Sequence, residues 1–431
     1  MKVTKIPFEQ TGFFSKLIID YVNQSPQLQP FYNNFPDLLG FKRQIEEKQF
    51  SFKKNTRTVL VDAVQNQYKK IAVSKLTQAN ITKLANENTF TITTGHQLNL
   101  FTGPLYFLYK IIAVINLATE LNAKFPGSHF VPVYWMATED HDFDEINYFN
   151  FDGKKVQWKR EDGGAVGRFS TKGLEAVYRV FSNHLGNSKN AQYLKSLFSE
   201  AYLKHQNLAQ ATRYIANELF GKYGLVIVDG DDYALKTVFT PYIKEELENK
   251  TAFKTVSKTI LALEKEYKIQ VNPREINLFY LGNNFRERII YEGGFYKVNN
   301  TDITFTKKAI LEELAKNPKA FSPNVILRPL YQEVILPNLC YIGGGGEQAY
   351  WLELKTFFDA VKVPFPILLL RNSVQVISSK QKQKLDKLNI SLEEIFLNQN
   401  KLLSKKVIEN ANIKVDFDKK ILFLEGKFMI T

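Results

Sequence analysis

The sequence predicts an α/β protein with a parallel-sheet core, and three observations carry that prediction. Two apolar, β-branched runs at 89–93 and 129–136 flank a helical stretch, the order of a βαβ unit with its right-handed crossover. Three later runs, Leu225-Val226-Ile227-Val228-Asp229, Cys340-Tyr341-Ile342 and Pro366-Ile367-Leu368-Leu369-Leu370, have the continuous hydrophobicity of strands buried on both faces. The chain has 431 residues, 44% hydrophobic and 13% aromatic. That is longer than the roughly 250–300 residues one core usually supports, and too apolar for a disordered chain. A large core carrying insertions, or two domains, is expected.

Residues before 89 read as helices. Leu17, Ile18, Tyr21 and Val22 share a helical face, and 59–71 repeats apolar residues at similar spacing. The strand at 89–93 leads through a polar turn to a helix opening near Pro104, whose missing amide hydrogen suits the first helical position. That helix should run to Lys124, ahead of Pro126-Gly127. Asp152-Gly153 lies between two alternating runs and reads as a hairpin turn. It begins an insertion with helices over 191–202 and 208–223. Helices over 233–266, short strands to about 296 and a helix over 347–361 follow. Beyond Ser378 the chain is Lys-rich and helical, and 413–428 reads as an edge hairpin. The core would then span 1–377, with insertions at about 150–222 and 250–325, before a helical region at 378–431.

Composition excludes several classes. Lys and Arg number 57 against 44 Asp and Glu, a net charge of +13. The positive residues are mostly scattered lysines without a dense Arg-rich stripe, so solvated lysines explain the charge better than a nucleic-acid surface. The single cysteine rules out a disulfide framework and Cys-rich metal sites, and suits a reducing cytoplasm. No run of about 18 apolar residues free of charge occurs, so no membrane span is expected. Cys340 itself reads as core, because no activating base neighbours it.

Three segments carry candidate chemistry. The first, Thr94-Gly95-His96-Gln97-Leu98-Asn99-Leu100-Phe101-Thr102-Gly103-Pro104, joins the first core strand to its helix. Ligands of open α/β sheets bind at the carboxyl ends of strands, where a helix N-terminus offers amide donors. His96 and Gln97 would add side-chain donors; an ordinary turn with a satisfied histidine is the alternative. The standard glycine-rich phosphate fingerprints are absent here. The second, Thr138-Glu139-Asp140-His141-Asp142-Phe143-Asp144-Glu145, packs five carboxylates and one imidazole into eight residues. Their repulsion calls for a cation or a substrate amine among them: Mg²⁺ on oxygen, His141 as a base, or an ammonium. Asp140, His141 and Asp142 are the catalytic candidates, with Asp144 and Glu145 structural. The third, Gly343-Gly344-Gly345-Gly346-Glu347, permits close backbone approach and an anion nest, or else a tightly packed loop. Arginines are few, and Arg286, Arg288, Arg328 and Arg371 fall near strand ends or motif loops, where a guanidinium could hold a carboxylate or phosphate in two places.

Together, TGHQLNLFTGPLY at 94–106, WMATEDHDFDEIN at 135–147, LRPL at 327–330, LPNLCYIGGGGEQAYWL at 336–352 and Leu370-Arg371-Asn372-Ser373 resemble the bacillithiol biosynthesis cysteine-adding enzyme family, BshC. The resemblance runs from the N-terminus to about Leu402. It implies a Rossmann-like parallel-sheet core similar to class I aminoacyl-tRNA synthetases, with inserted connecting elements and a C-terminal helical coiled coil used for dimerisation. It further implies addition of cysteine to the amine of glucosaminyl malate, the last step of bacillithiol synthesis. ATP or another nucleotide, with Mg²⁺, would activate the cysteine carboxylate as an adenylate or acyl phosphate. On this reading Gly95, His96, Gln97, Thr102, Gly103 and Tyr106 line the nucleotide or carboxylate site, and Asp140 and His141 receive the ammonium of cysteine or deprotonate the amine. Gly343, Gly344, Gly345, Gly346 and Glu347 line the sugar or nucleotide side, Arg328 and Arg371 meet the malate carboxylates, and Asn372 is a further substrate- or nucleotide-binding residue. Two features depart from the family: His96 and Leu98-Asn99 stand where Gln and Ala-Gly are common, and the chain ends at Thr431 without sustained heptads. A shortened helical region, and doubt over the family's homodimer, are the expectation. A nucleic-acid-binding protein with a synthetase-like core and an inactive truncated scaffold are the alternatives.

Overall fold

The computed structural model describes residues 2–161 and 163–410, with Asn410 as backbone only. The hairpin expected at 413–428 lies outside the described residues. The chain divides into two units, Asp20–Ser373 and a smaller one made of Met1–Ile19 and Val374–Thr431. Described strands, in chain order, are β1 (Thr89–His96), β2 (His129–Met136), β3 (Tyr148–Phe151), β4 (Lys154–Gln157), β5 (Val226–Asp229) and β6 (Leu278–Leu281). They continue with β7 (Arg286–Glu292), β8 (Phe295–Val298), β9 (Thr304–Phe305), β10 (Phe321–Pro323), β11 (Asn338–Gly343) and β12 (Ile367–Leu370).

The core of the larger unit is a five-stranded parallel sheet in the order β12-β11-β1-β2-β5. The chain therefore reverses direction across the sheet between β1 and β11, the place where open α/β sheets bind ligands. Every residue of β1 is buried, although the strand is rich in threonine. The hydroxyls are tolerated because they find partners. Thr91 and Thr93 donate to Asn338 Oδ1 at 3.2 and 2.7 Å, and Thr94 donates to the Ile342 carbonyl at 2.7 Å. Pro132 lacks a ladder donor, yet it sits in β2 ahead of the pairing with β5, which begins at Val133.

The helix of the βαβ unit, Tyr106–Lys124, starts two residues beyond Pro104. β1 runs three residues further than its apolar signal and takes in Gly95 and His96, which pair with Trp135 and Met136 of β2. The hairpin at Asp152-Gly153 joins β3 to β4, both residues adopting positive φ, +48° and +75°, as a two-residue turn requires. Helices Lys54–Tyr68, Lys189–Leu203 and Leu208–Phe220 match the apolar spacing, while Leu174–His184 was not anticipated. The stretch 233–266 is two helices, Tyr233–Asn249 and Thr251–Leu263, broken at Lys250 with φ +54°. The stretch 347–361 is likewise two, Gly345–Leu352 and Lys355–Ala360.

Between β5 and β11 a second sheet, in the order β10-β6-β7-β8-β9, is antiparallel throughout. It is followed by the buried helix Leu327–Ile335, which sequence periodicity did not suggest. In the smaller unit, helices Ser379–Lys387 and Gln399–Asn410 flank a short turn, Glu394–Phe396. Glu394 holds both Lys405 and Lys406, at 2.7 and 3.0 Å, and Phe396 meets Phe13 edge-on.

Candidate active site

The carboxyl ends of β1, β2, β5 and β11 converge on a cavity of about 1070 Å³, closed on another side by β6, β7 and the segment before them. Gly95, His96, Gln97, Tyr106, Asp140, His141, Arg328 and Glu347, eight of the candidates read from the sequence, line it. The acidic motif and the residue following the glycine run thus share one site, because β2 and β11 flank β1 in the sheet.

The floor is built around Gly95. A Cβ there would lie 3.0 Å from Tyr341 Oη, so any larger residue would press on the Tyr341 hydroxyl. The Gly95 carbonyl accepts from Lys110 Nζ at 2.7 Å, and the same ammonium pairs with Glu347 at 2.6 Å. Glu347 also accepts from Tyr341 Oη at 2.7 Å and from the Gly344 amide at 2.8 Å. Burial would raise its pKa, but Lys110 and these hydrogen bonds outweigh it and hold the carboxyl below its ordinary value. Lys110 was missed as a site residue. Its signal was a lone lysine on the face shared by buried Phe107, Ile111 and Val114 of an apolar helix.

His96 is buried, 7% exposed, against Tyr106 and Phe107. Its Nδ1 is 2.9 Å from the Gln97 carbonyl, which can only accept, so the ring proton sits on Nδ1 and Nε2 is an acceptor. Burial, with Lys110 nearby, pulls the imidazole pKa down to about 4. Among the described residues Nε2 is buried without a partner. His96 is therefore a neutral acceptor, and the expectation of a donor for an anion is corrected: it suits a hydroxyl or ammonium hydrogen. Gln97 is corrected too, because its Nε2 already donates to Asp140 at 2.9 Å and Glu145 at 2.7 Å.

Two carboxylates of the acidic motif, Glu139 and Asp140, meet positive charge from residues far away in sequence, Lys236 and Arg286. Glu139 pairs with the buried Lys236 at 2.5 Å; burial pushes the carboxyl pKa up and the ammonium pKa down. Thr138 donates to Asp229, and Asp231 takes a bidentate pair from Arg168 at 2.7 and 2.8 Å. Asp140 accepts from Gln97 and from the His141 amide, with Arg286 close by. Against burial, the His141 ring beside it, then Gln97, Arg286 and the His141 amide, hold its carboxyl well below the usual range. Arg286 stacks on Phe279 at 3.9 Å and donates to Ser322 Oγ, the Pro323 carbonyl and His141 Nδ1 at 3.0 Å. A guanidinium only donates, so His141 accepts at Nδ1 and presents an Nε2–H. Among the described residues no group of three or more His, Cys, Asp or Glu is placed to hold a metal ion.

Arg288 also lines the cavity, whereas Asp142, Thr102, Gly103, the four glycines, Arg371 and Asn372 lie outside its lining. Asp142 is exposed and precedes the short helix Phe143–Ile146. Thr102 and Gly103 follow Phe101 in a run of positive φ, +45°, +72° and +57°. This run inserts the Phe101 ring between Phe181 and Phe198, and a Cβ on Gly103 would strike Asn99 at 2.4 Å. The tetraglycine runs from a strand end into a helix N-terminus, and its Gly344 amide is already taken by Glu347. Gly343 ends β11, Gly344 caps the following helix, and Gly345 and Gly346 form its first turn. A Cβ on Gly343 would lie 2.9 Å from Glu347 Cβ, so close packing explains that glycine. Arg371 sits over the Tyr106 ring at 4.9 Å and donates to the carbonyl of exposed Asn372. Cys340 is buried, as the sequence suggested, and burial raises its thiol pKa well above the ordinary value.

With the fold and the site described, comparison with known proteins is decisive. The sequence model described as "Bacillithiol biosynthesis BshC, N-terminal Rossmann-like domain" matches residues 1–372. The chain belongs to the BshC family. A relative from Flavobacterium psychrophilum is 59% identical over 98% of this chain and 80% of its own length. One from Flavobacterium johnsoniae is 56% identical over 98% and 80%, and one from Cytophaga hutchinsonii 42% over 97% and 78%. All three carry the name "Putative cysteine ligase BshC". BshC membership agrees with the Rossmann-like parallel sheet and supports the ligase reading over the nucleic-acid and scaffold alternatives. No described helix of this BshC chain is long and apolar enough to cross a membrane.

Proposed function

We propose that this protein is a cysteine ligase of bacillithiol biosynthesis, joining the carboxylate of L-cysteine to the amine of glucosaminyl malate. The observation that carries the reading is the meeting, in one cavity, of the ionised Asp140, the neutral acceptor His96 and the guanidinium of Arg328.

Forming an amide from a carboxylate and an amine in water is uphill, so the carboxylate must be activated. ATP or another nucleotide, carrying Mg²⁺ on its phosphates, would supply that activation when bound. Among the described residues the cavity offers two unsatisfied buried groups that fit it: His96 Nε2 as an acceptor for a ribose hydroxyl, and Arg328 Nη2 as a donor to a phosphate or carboxylate oxygen. Arg328 stays charged, since despite its burial the tyrosines Tyr350 and Tyr341 and Glu347 favour the charged form.

The chain's own residues then act by position and charge. Asp140, ionised, receives an ammonium group. His141 donates from Nε2 while Arg286 occupies Nδ1, so it orients an acceptor on the substrate; its use as a base would first require Arg286 to withdraw. Glu347 and Lys110 hold the ends of β1 and β11 together and keep the cavity floor in place. The test is to incubate the purified protein with glucosaminyl malate, cysteine and single nucleotides, and to look for bacillithiol by mass spectrometry. Product should form with one nucleotide and not without it. No product with any nucleotide would refute the reading.

A further inference from the structure

One wall of the cavity carries two arginines that form no ion pair among the described residues, beside Glu287, whose carboxylate accepts from Asn300 Nδ2 at 3.1 Å. Among the lining cations, Lys110 is paired with Glu347, and Arg286 gives its donors to Ser322, Pro323 and His141. Arg274 and Arg288 also line the cavity and are exposed, and neither side chain makes a hydrogen bond or ion pair among the described residues.

Both are carried on ordered backbone. Arg288 lies two residues from Arg286 in β7, hence on the same face of the strand, and is paired with Phe279 of β6. Arg274 is fixed through Asn277: its amide donates to Asn277 Oδ1 at 3.0 Å and its carbonyl accepts from Asn277 Nδ2 at 2.8 Å. Asn277 is fully buried and also donates to Glu246. Both guanidinium groups line one cavity without a hydrogen-bonded carboxylate among the described residues, so a dianion bound there would meet two cationic donors. Planar guanidinium groups match carboxylates in two places, with a specificity that lysine lacks.

We propose that Arg274 and Arg288 are specificity-determining residues that receive the two carboxylates of a small dicarboxylate group on the acidic substrate. The inference rests on the reaction proposed above, in which one substrate bears such a group. Phosphates share the chemistry, but nucleotides of parallel α/β sheets bind at the strand ends. There Arg328 and His96 already wait, which leaves the inserted wall to the second substrate.

The experiment is calorimetric titration of free malate and, separately, of ADP into the full chain, its Arg274→Ala/Arg288→Ala double variant and the matching double lysine variant. Both arginines are exposed, and a thermal melt verifies that the variants fold. Malate affinity should fall at least about tenfold in the alanine variant and recover in part with lysine, as loss of charge-assisted hydrogen bonds predicts. ADP affinity should be unchanged. Unaltered malate binding in the alanine variant, a wild type that binds no malate, or weakened ADP binding with malate intact would each overturn the proposal. Malate binding that depends on both arginines in a preparation without ligase activity would uphold this inference and sink the reaction.

Discussion

His96 shows how one residue's surroundings decide its chemistry. In the unfolded chain an imidazole titrates near its ordinary value of about 6.5; in the fold, burial and Lys110 bring it down to about 4. Between those values the unfolded chain binds more protons, so stability rises with pH through the window and falls as the solution is acidified. The total effect is about 3 kcal/mol. Replacing His96 by Asn, which keeps a donor for the Gln97 carbonyl, should flatten the dependence of unfolding free energy on pH between about 6.5 and 4. Urea unfolding across that range reads this directly, and a slope equal to that of the wild type would mean His96 is not the group responsible. The sequence marked His96 as a site residue because it follows a buried strand. It could not show whether the ring donates or accepts, since that depends on Lys110, fourteen residues on, and on the Tyr106 and Phe107 rings packed against it.

At the level of elements, a buried polar chain ties the helices to the sheet. Lys48, on helix Leu38–Ser51, pairs at 3.2 Å with Glu333 on helix Leu327–Ile335. Glu333 also accepts from Gln332 and Asn338, and Asn338 accepts from the Thr91 and Thr93 hydroxyls of β1. Burial raises the Glu333 pKa and lowers that of Lys48. Removing one partner strands the other away from water. Lys48→Met should therefore destabilise the protein by about 3–5 kcal/mol, and adding Glu333→Gln should restore part of the loss. Denaturant unfolding of the single and double variants tests this; a single-variant loss below about 1 kcal/mol would show that Glu333 finds other compensation. The five core strands were legible because runs of apolar or β-branched residues have few other uses. Helix Leu327–Ile335 was not, since its buried face includes Gln332 and Glu333, which no apolar pattern reports. The glycine run was legible as a tight place, but the sequence left packing and anion binding as alternatives, because both ask for the same residue.

On the scale of the larger unit, the insertions complete the site. The segment after the β3–β4 hairpin crosses the acidic motif: the Val166 amide donates to the Asp140 carbonyl at 2.7 Å and the Gly167 amide to the Thr138 carbonyl at 2.8 Å. Arg168 then clamps Asp231 beyond β5. Arg168→Ala removes a bidentate pair, leaving Asp231 with Lys319 at 3.3 Å. Amide exchange at Val166 and Gly167 should then quicken by about tenfold, with little change in the melting temperature. Exchange at the wild-type rate would mean that backbone packing alone holds the crossing segment.

The sequence by itself determined the five core strands, the order in which they arise, the motifs that end on them and, through those motifs, the family. Such features are written locally, in alternation along a strand or spacing along a helix, and neighbouring residues suffice to show them. Tertiary structure alone decided which charges are satisfied and which remain free. Glu139 meets Lys236 across 97 positions, His141 meets Arg286 across 145, and Lys48 meets Glu333 across 285. Pairings at such separations depend on how the sheet and its insertions close on one another, and no local pattern encodes that.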